Sequence, residues 1–174
     1  MNTIDDVQFI THERKADSRG YFRRVYDATE MTAGSPQLNF IQSSVSFNTS
    51  KGTIRGLHFQ ASPSLEWKYV TCLSGAVFDC LIDVRKESAS YGTCVSFELS
   101  EINGASLLIP PGVAHGFQTL LDNTRVHYQM TDQFDAKLSR VLMWNDKSLD
   151  IKWPLPLTVM SKADQNGTPW PIAF

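Results

Sequence analysis

The chain has 174 residues with 18 acidic and 16 basic side chains, a net charge of -2 when histidine is neutral. That length is typical of one domain, with a core large enough to fold without disulfides or metal. The charge balance argues against a nucleic-acid binder, and the apolar runs fall short of the roughly 20 residues that span a bilayer. The first residues contain no basic and apolar segments of a signal peptide, so we expect a cytoplasmic protein.

Apolar and polar residues alternate with a period of two along most of the chain, which predicts short β-strands. The predicted strands lie at 20–26, 40–48, 53–60, 68–73, 76–85, 93–99, 106–109, 116–120 and 124–130. Ser74 and Gly75 separate two of them and predict a hairpin. Helical patterns are weak, with one short helix expected at 27–33 and a turn at 146–150.

Many short strands separated by Gly and Pro turns are typical of an all-β sandwich or barrel, and the pattern alone does not choose between them. The last ~25 residues contain four prolines and several aromatic side chains. Because Trp153, Trp170 and Phe174 would be costly to leave in water, this segment is predicted to be an extended tail that wraps on the domain.

Three cysteines and four histidines are the scarce reactive side chains: Cys72, Cys80 and Cys94, with His12, His58, His115 and His127. The cysteines are odd in number and not closely paired, which argues against a disulfide framework or a zinc knuckle and favours buried small hydrophobes. The histidines suit either a metal site or an acid/base site. We expect surface positions for His12 and His127.

The first candidate motif is an apolar strand that enters a Pro-Pro-Gly turn and is followed by a histidine. It covers residues 104–117, and its spacing of Gly, Pro and His resembles the second sequence motif of the cupins, which are small double-stranded β-helix barrels. This geometry would place His115 near the mouth of a barrel, facing in. The alternative is a structural histidine beside a turn.

The second candidate motif covers residues 52–60 and contains His58. Metal-binding cupins have His-x-His at the equivalent point, followed by Glu, whereas the second histidine is Gln60 in this chain. A divalent metal usually needs three or more protein ligands, so His58 and His115 alone fall short and we expect no metal. An imidazole without metal is free to act as a base, because its ordinary pKa near ~6.5 suits proton abstraction at neutral pH.

A few further polar residues lie in strands without an obvious reason to be at the surface. Lys68 begins one strand, and Asp79 and Asp83 share a face of the next. Tyr128 shares a face with apolar neighbours, and a tyrosine buried in a barrel usually has a hydrogen-bond partner. Packing alone is the alternative explanation for this tyrosine.

Together these segments resemble the nucleotide-sugar 3,5-epimerases of the dTDP-4-keto-6-deoxyglucose type, a metal-free cupin family, over about residues 17–164. The matching segments are 17–22, 52–60, Lys68, 75–79 with 83–85, 109–117, 128–132, 144–146 with 153–154, and Ser161 with Asp164. The resemblance implies a cupin-type jelly-roll barrel with few short helices and an extended C-terminal tail. It also implies one domain over 1–174, with the barrel at about 20–130 and the wrap at about 131–174.

The resemblance implies four catalytic residues. His58 would be the general base, held and polarised by Asp164. Tyr128 would be the acid that returns a proton to the opposite face, and Lys68 would stabilise the enolate oxygen. No metal and no cofactor are implied, since the C4 ketone of the sugar acidifies its own C3 and C5 hydrogens.

The resemblance also implies a set of substrate-binding residues: Arg55 for pyrophosphate, Gln42, Ser44 and Lys162 beside it, His115 in the sugar pocket, and Asp79 or Asp83 as support for Lys68. In this family Arg19 reaches the phosphates from the partner subunit. That implies a homodimer with strand exchange.

Several positions depart from the family pattern. They are Arg24 in place of Glu, Ser44 in place of Asn, Phe134 in place of a second Tyr, and Val141 and Met143 in place of Gly and Arg. The catalytic residues are intact, but these changes leave open the nucleotide and whether C3, C5 or both are inverted.

The prediction is therefore an epimerase that inverts C3 and/or C5 of a nucleoside-diphosphate 4-keto-6-deoxy sugar, in a deoxysugar pathway feeding surface polysaccharide or a glycosylated metabolite. The alternatives are a single-site epimerase or sugar ketoisomerase, a sugar-binding cupin without catalysis, and a metal-dependent cupin oxygenase. A sugar-binding protein would not need a base and an acid on opposed faces, which disfavours the second alternative.

Overall fold

Strands account for nearly all regular structure in the computed structural model, which describes residues 3–31 and 38–172. The strands within these ranges are β1 Gln8–Ile10, β2 Arg14–Asp17, β3 Gly20–Arg23, β4 Gln42–Asn48, β5 Ile54–Gln60, β6 Lys68–Ser74, β7 Ala76–Asp83, β8 Cys94–Ser100, β9 Ser106–Ile109, β10 Val113–Thr119, β11 Thr124–Met130 and β12 Ser139–Val141. The one-turn helices are α1 Ala28–Met31 and α2 Lys162–Gln165. The expected all-β class is confirmed. No helix in the described ranges is long and apolar enough to cross a membrane.

Ten of these strands form two five-stranded antiparallel sheets. The first sheet has the order β1-β9-β6-β11-β4, and the second has the order β12-β5-β10-β7-β8. β2 and β3 form a separate hairpin. Strands that follow one another along the chain often lie in different sheets, as in a jelly roll.

The main core lies between the two sheets. Val70 and Val126 of the first sheet pack with Leu81 and Phe117 of the second, and each is at most 1% exposed. Alternate residues of the same strands point to the other face of their sheet. Apolar side chains therefore fill the space between the sheets, except at the positions where polar residues stand in their place.

The predicted hairpin at Ser74 and Gly75 is wrong. β6 pairs with β9 and β11 in the first sheet, whereas β7 pairs with β8 and β10 in the second. The chain turns a corner at Gly75, where φ is 81°, and passes from one sheet to the other. Turn residues indicate that a strand ends, but strands can switch sheets at such a bend instead of pairing.

The C-terminal segment packs on the outer face of the second sheet. Its apolar side chains join the outward-facing residues of β7 in a second cluster that includes Cys80, Ile82, Leu142, Leu149, Ile151, Trp153, Trp170 and Ile172. Trp153 contacts Phe78 edge to face with ring centroids 5.8 Å apart, and its indole N–H donates to the Trp144 carbonyl at 2.8 Å. Phe174, also expected in this wrap, lies outside the described residues.

β4 has the predicted alternation, but its apolar face points away from the barrel. Ile41, which precedes the strand, and Val45 and Phe47 within it are 49%, 55% and 45% exposed. Its polar residues point inward, and Asn48 is buried. β4 is also an edge strand of the first sheet.

Sequence patterns missed the shortest elements. β1, β2, β12 and α2 have three or four residues each, too few for a period to be recognised. The expected helix at 27–33 is present as α1 up to Met31, and its last two residues lie outside the described ranges. The expected turn after residue 146 is present, with the Leu149 N–H donating to the Asp146 carbonyl at 3.3 Å.

Replacing Gly75 with Ala should destabilise the fold by about 2–4 kcal/mol, from left-handed backbone strain and overpacking. A Cβ at this position would lie 2.3 Å from the Thr124 hydroxyl oxygen. Urea unfolding measures the loss. Gly20→Ala is the matched control, because Gly20 also has positive φ but no heavy atom within 4 Å of the new Cβ. Equal losses in both variants would contradict the steric explanation.

Candidate active site

His58 and Asp164 form a close pair where β5 meets the C-terminal segment. The imidazole Nε2 lies 2.6 Å from the Asp164 Oδ1, and the Gly56 backbone N–H donates to Oδ2 at 3.3 Å. Ser161 caps α2 and holds the backbone of Asp164, whose N–H donates to the Ser161 hydroxyl at 3.1 Å. The two side chains come from positions 106 residues apart, so the wrap delivers the carboxylate to the barrel.

The surroundings keep Asp164 ionised. Burial alone would raise the pKa of this carboxyl. The hydrogen bond and charge of His58 and the Gly56 N–H outweigh burial and hold the pKa below its ordinary value. A carboxylate on one ring nitrogen fixes the imidazole tautomer and leaves the other nitrogen free to accept a proton.

A second His–Asp pair lies on the neighbouring strands. His115 of β10 is paired in register with His58 of β5, so both imidazoles are on the same face of the second sheet. The His115 Nε2 lies 2.9 Å from Oδ2 of Asp79, and both residues are buried. Burial raises the pKa of Asp79, and its Oδ1 has no hydrogen-bond partner among the described residues.

Tyr128 enters the site from the first sheet. It lies on β11 between Ser44 of β4 and Val70 of β6, and its ring meets that of His115 edge to face at 6.1 Å. Desolvation raises the pKa of the Tyr128 phenol strongly, with the hydrogen bond to Ser46 opposing the shift. The hydroxyl therefore carries its proton at neutral pH and can donate it.

Lys68 stands at the start of β6, also in the first sheet, and forms an ion pair with Glu66. Its side chain is 16% exposed and that of Glu66 is 8% exposed. Sequence patterns did not single out Glu66, because it precedes the strand and belongs to none of the motifs. The expected support of Lys68 by Asp79 or Asp83 is replaced by this contact.

All four predicted catalytic residues line one cavity of about 420 Å³. The lining comes from both sheets and the wrap: Gln42, Ser44, His58, Phe59, Gln60, Glu66, Lys68, Tyr128, Met130, Phe134, Ser139, Val141, Ala163 and Asp164. His58 belongs to the second sheet, whereas Lys68 and Tyr128 belong to the first. A ligand between them would have the imidazole on one side and the phenol on the other. Cavities of about 550 and 590 Å³ lie elsewhere on the chain, but no histidine lines either.

Two of the predicted phosphate-binding residues line this cavity. Gln42 and Ser44 are part of its wall, and Lys162 is exposed on α2 beside the lining residue Ala163. Arg55 is exposed on β5, where its Nε donates to the Asn48 side-chain oxygen at 2.7 Å. Arg19 is different, since it lies on the turn of the β2–β3 hairpin with its side chain 88% exposed, paired to Asp17 at 2.6 Å.

Asp83 has a structural role in this fold, in place of the expected contact with substrate or Lys68. Its carboxylate accepts from the Arg85 guanidinium at 2.9 Å and from the hydroxyls of Ser88 and Ser90 at 2.7 and 2.6 Å. These bonds hold the turn after β7. Asp83 lies four residues beyond Asp79 on β7, and its partners are all in the following loop.

Three of the positions that depart from the family pattern line the cavity: Ser44, Phe134 and Val141. Phe134 is 66% exposed. Arg24 is outside this wall, with its guanidinium paired to Asp27 at 2.8 Å. The backbone N–H of Met143 donates to the Thr168 carbonyl at 2.9 Å. The departures therefore change the wall around a ligand more than the acid/base groups.

No group of three His, Cys, Asp or Glu side chains within residues 3–31 and 38–172 is arranged to hold a metal ion. The expectation of a metal-independent reaction stays a prediction. The titratable groups in the cavity wall are two carboxylates, one imidazole, one phenol and one ammonium, and each carboxylate is paired with the ammonium or the imidazole. Such a set suits proton transfer.

An antiparallel jelly roll with an imidazole and a phenol facing each other from opposite sheets defines an acid/base enzyme of the cupin type. The family model described as dTDP-4-dehydrorhamnose 3,5-epimerase matches residues 1–171. The chain belongs to this epimerase family, as the sequence motifs predict.

Individual relatives agree with this assignment. A dTDP-4-dehydrorhamnose 3,5-epimerase of Sinorhizobium fredii is 39% identical over 165 residues, which cover 94% of this chain and 85% of that protein. The crystal structure of the Bacillus anthracis enzyme of the same name, with TDP and PPi bound, is 34% identical with a TM-score of 0.91 and covers 94% of both chains. The Legionella pneumophila enzyme, in complex with dTDP-4-keto-L-rhamnose, is 32% identical with a TM-score of 0.89, over 97% of this chain and 90% of that one. These similarities confirm the cupin-type fold.

Replacing Asp83 with Asn should lower the free energy of unfolding in a pH-dependent way. Burial alone would raise the pKa of Asp83, but the bonds from Arg85, Ser90 and Ser88 outweigh it and lower the pKa to about 2. The folded pKa is below the unfolded one, so the stabilisation is present above pH ~4 and is lost as pH falls towards ~2. We expect a deficit of roughly 1–2 kcal/mol at pH 7 that shrinks between pH ~5 and ~2 in urea unfolding.

Asp150→Asn is the control for this experiment, because its carboxylate pairs with Lys152 at the surface. An exposed pair contributes little, so this variant should unfold like the wild type at each pH. A deficit in Asp83→Asn that stays constant over the pH range would contradict the proposed role of the carboxylate charge.

Proposed function

We propose that this epimerase acts on dTDP-4-keto-6-deoxyglucose in the cytoplasm and inverts both C3 and C5, giving dTDP-4-keto-L-rhamnose for deoxysugar and polysaccharide synthesis. The observation that carries the proposal is that the His58–Asp164 pair faces Tyr128 and Lys68 across one cavity, from opposite sheets. The ligands named for the similar Bacillus and Legionella structures, TDP and dTDP-4-keto-L-rhamnose, support the choice of nucleotide sugar.

His58 acts as the general base. Asp164 holds the Nε2 side of the ring at 2.6 Å, so the opposite nitrogen accepts the proton from the carbon next to the ketone. Removal of this proton gives an enolate with its charge on the former C4 carbonyl oxygen. The Lys68 ammonium stabilises that charge as it develops, because a fixed cation needs no rearrangement in the transition state.

Tyr128 completes the inversion from the other side. Its phenol is protonated because burial raises the pKa, and it lies on the sheet opposite to His58. Donation of this proton to the enolate carbon sets the new configuration. The Tyr128 phenolate then takes up a proton from solvent and the His58 imidazolium releases one, so the same pair of groups serves the second carbon once the sugar has turned. No cofactor is needed, since the ketone itself accepts the electron pair.

The remaining predicted residues bind the nucleotide and the sugar. Gln42 and Ser44 of the cavity wall bind the pyrophosphate together with the exposed cations Arg55 and Lys162, because polar and cationic groups suit an anion. His115 is held by its contact with Asp79 and meets the Tyr128 ring edge to face, which supports a role beside the sugar.

The reaction is tested by NMR in D2O with dTDP-4-keto-6-deoxyglucose. Wild-type protein should introduce deuterium at C3 and C5. His58→Ala should abolish exchange at both positions, because no base remains. Tyr128→Phe should slow inversion by ~100-fold or more while exchange continues, because the loss of a general acid typically costs 10²–10⁴-fold.

Tyr91→Phe is the matched control. It removes the same phenolic hydroxyl, but Tyr91 packs on Trp170 and does not line the cavity of His58 and Tyr128. Label at one carbon only would show a single-site epimerase in place of the double inversion. Binding of the sugar without exchange at any carbon would overturn the enzyme in favour of a sugar-binding protein. Activity that disappears on metal chelation and returns with iron or zinc would overturn the metal-independent mechanism.

We also propose that the protein is a homodimer with strand exchange. The exposed apolar face of β4 borders a strand edge that has no partner strand within residues 3–31 and 38–172, and exposed apolar surface of this kind is typical of an interface. The β2–β3 hairpin carries Tyr21 and Phe22, which are 45% and 68% exposed. Exchange of this segment would cover both surfaces and bring Arg19 to the phosphates in the partner's cavity.

Val45→Asp should convert the dimer to a monomer, because a carboxylate at the centre of an apolar interface is costly to desolvate. Light scattering coupled to gel filtration measures the mass. Val159→Asp is the control, since Val159 is similarly exposed at 51% but lies on the C-terminal segment. A wild-type mass equal to one chain at micromolar concentration would contradict the dimer.

A further inference from the structure

One carboxylate in the cavity has no part in the proposed proton transfers. Glu66 lines the cavity, is 8% exposed, and forms an ion pair with the Lys68 ammonium. We infer that Glu66 is a positioning residue that holds the Lys68 ammonium at the point where the enolate oxygen forms. This inference rests on the proposed role of Lys68 as the enolate-stabilising cation.

The backbone around Glu66 is fixed by the end of β11 and the residues that follow it. The Glu66 N–H donates to the Ser64 hydroxyl at 3.3 Å, and that hydroxyl donates to Asp132 Oδ2 at 2.8 Å. The Trp67 N–H donates to the Thr131 hydroxyl at 2.9 Å. These bonds anchor both sides of Glu66 to the residues that directly follow the strand that carries Tyr128. The carboxylate is thus held in a fixed place relative to the acid.

Lys68 needs such a partner. A lysine side chain has four rotatable bonds and loses much of its rotamer freedom when it is held in one position. A cation stabilises a developing charge most when it is already in place. The other buried carboxylate near the site, Asp79, is occupied by His115. Glu66 is therefore the group that orders the ammonium before the substrate enters.

The pairing predicts how the effect divides between binding and catalysis. The ground-state ketone is uncharged, and the Lys68–Glu66 pair is neutral as a whole, so it contributes little to substrate affinity. The enolate oxygen is anionic, and its energy depends on the exact orientation of the ammonium. An interaction that gains strength only in the transition state lowers kcat when it is lost and leaves KM nearly unchanged.

A double-mutant cycle tests the inference, with kcat and KM measured by NMR exchange at C3 and C5. The variants are Glu66→Gln, which keeps the shape and removes the charge, Lys68→Met, and both together. Glu66→Gln alone should lower kcat by about tenfold or more and change KM by less than about threefold. In the Lys68→Met background the same change should alter kcat by less than about twofold, because a residue that acts through Lys68 has no effect without it.

Glu98→Gln on the exposed part of β8 is the matched control and should leave kcat and KM unchanged. Equal losses from Glu66→Gln in both backgrounds, a loss confined to KM, or no loss at all would overturn the positioning role. A wild-type protein that produces no exchange would instead overturn the proposed function.

Glu66→Asp keeps the test decisive if the Gln variant does not fold. It preserves the charge but withdraws the carboxylate by one methylene group, so it should lower kcat in the wild-type background and not in Lys68→Met. An Asp variant with wild-type kcat would also overturn the inference.

Discussion

The contact between His58 and Asp164 is the constraint on which the site depends. It joins the central part of the second sheet to the segment that follows the barrel, and the imidazole and carboxylate are 2.6 Å apart. The apolar cluster of Trp153, Trp170 and their neighbours secures this segment on the outer face of β7. Apolar packing on the outer face of the sheet therefore places the Asp164 carboxylate against the imidazole of the proposed base, His58, on the inner face.

The two-sheet architecture supplies the second requirement of an inverting enzyme. One sheet carries the proposed base, and the other carries the proposed acid and the proposed enolate-stabilising cation. Side chains that project into the space between packed sheets approach a ligand from opposite directions. A single strand or a single helix could not present Tyr128 and His58 in this way. The opposition of the two groups is a property of the fold as well as of their chemical types.

The sequence predicted the all-β class and the four proposed catalytic residues that the structure brings to one cavity, but it did so through motif resemblance more than through periodicity. Alternation along β4 identified its two faces without showing which one is inside. Ser74 and Gly75 marked a turn, but the pairing of β6 and β7 depends on contacts with strands distant in sequence. Glu66 was missed because its role depends on the ion pair with Lys68, and only the structure shows that both side chains point into the cavity.

The late position of Asp164 in the chain has a consequence for biosynthesis. The strands that enclose the cavity are complete by residue 141, more than 20 residues before this carboxylate is added. A growing chain can therefore form its barrel while the imidazole still lacks its partner. The carboxylate reaches the imidazole only when the wrap has emerged and docked, so the proposed base would acquire its partner as one of the last steps of maturation.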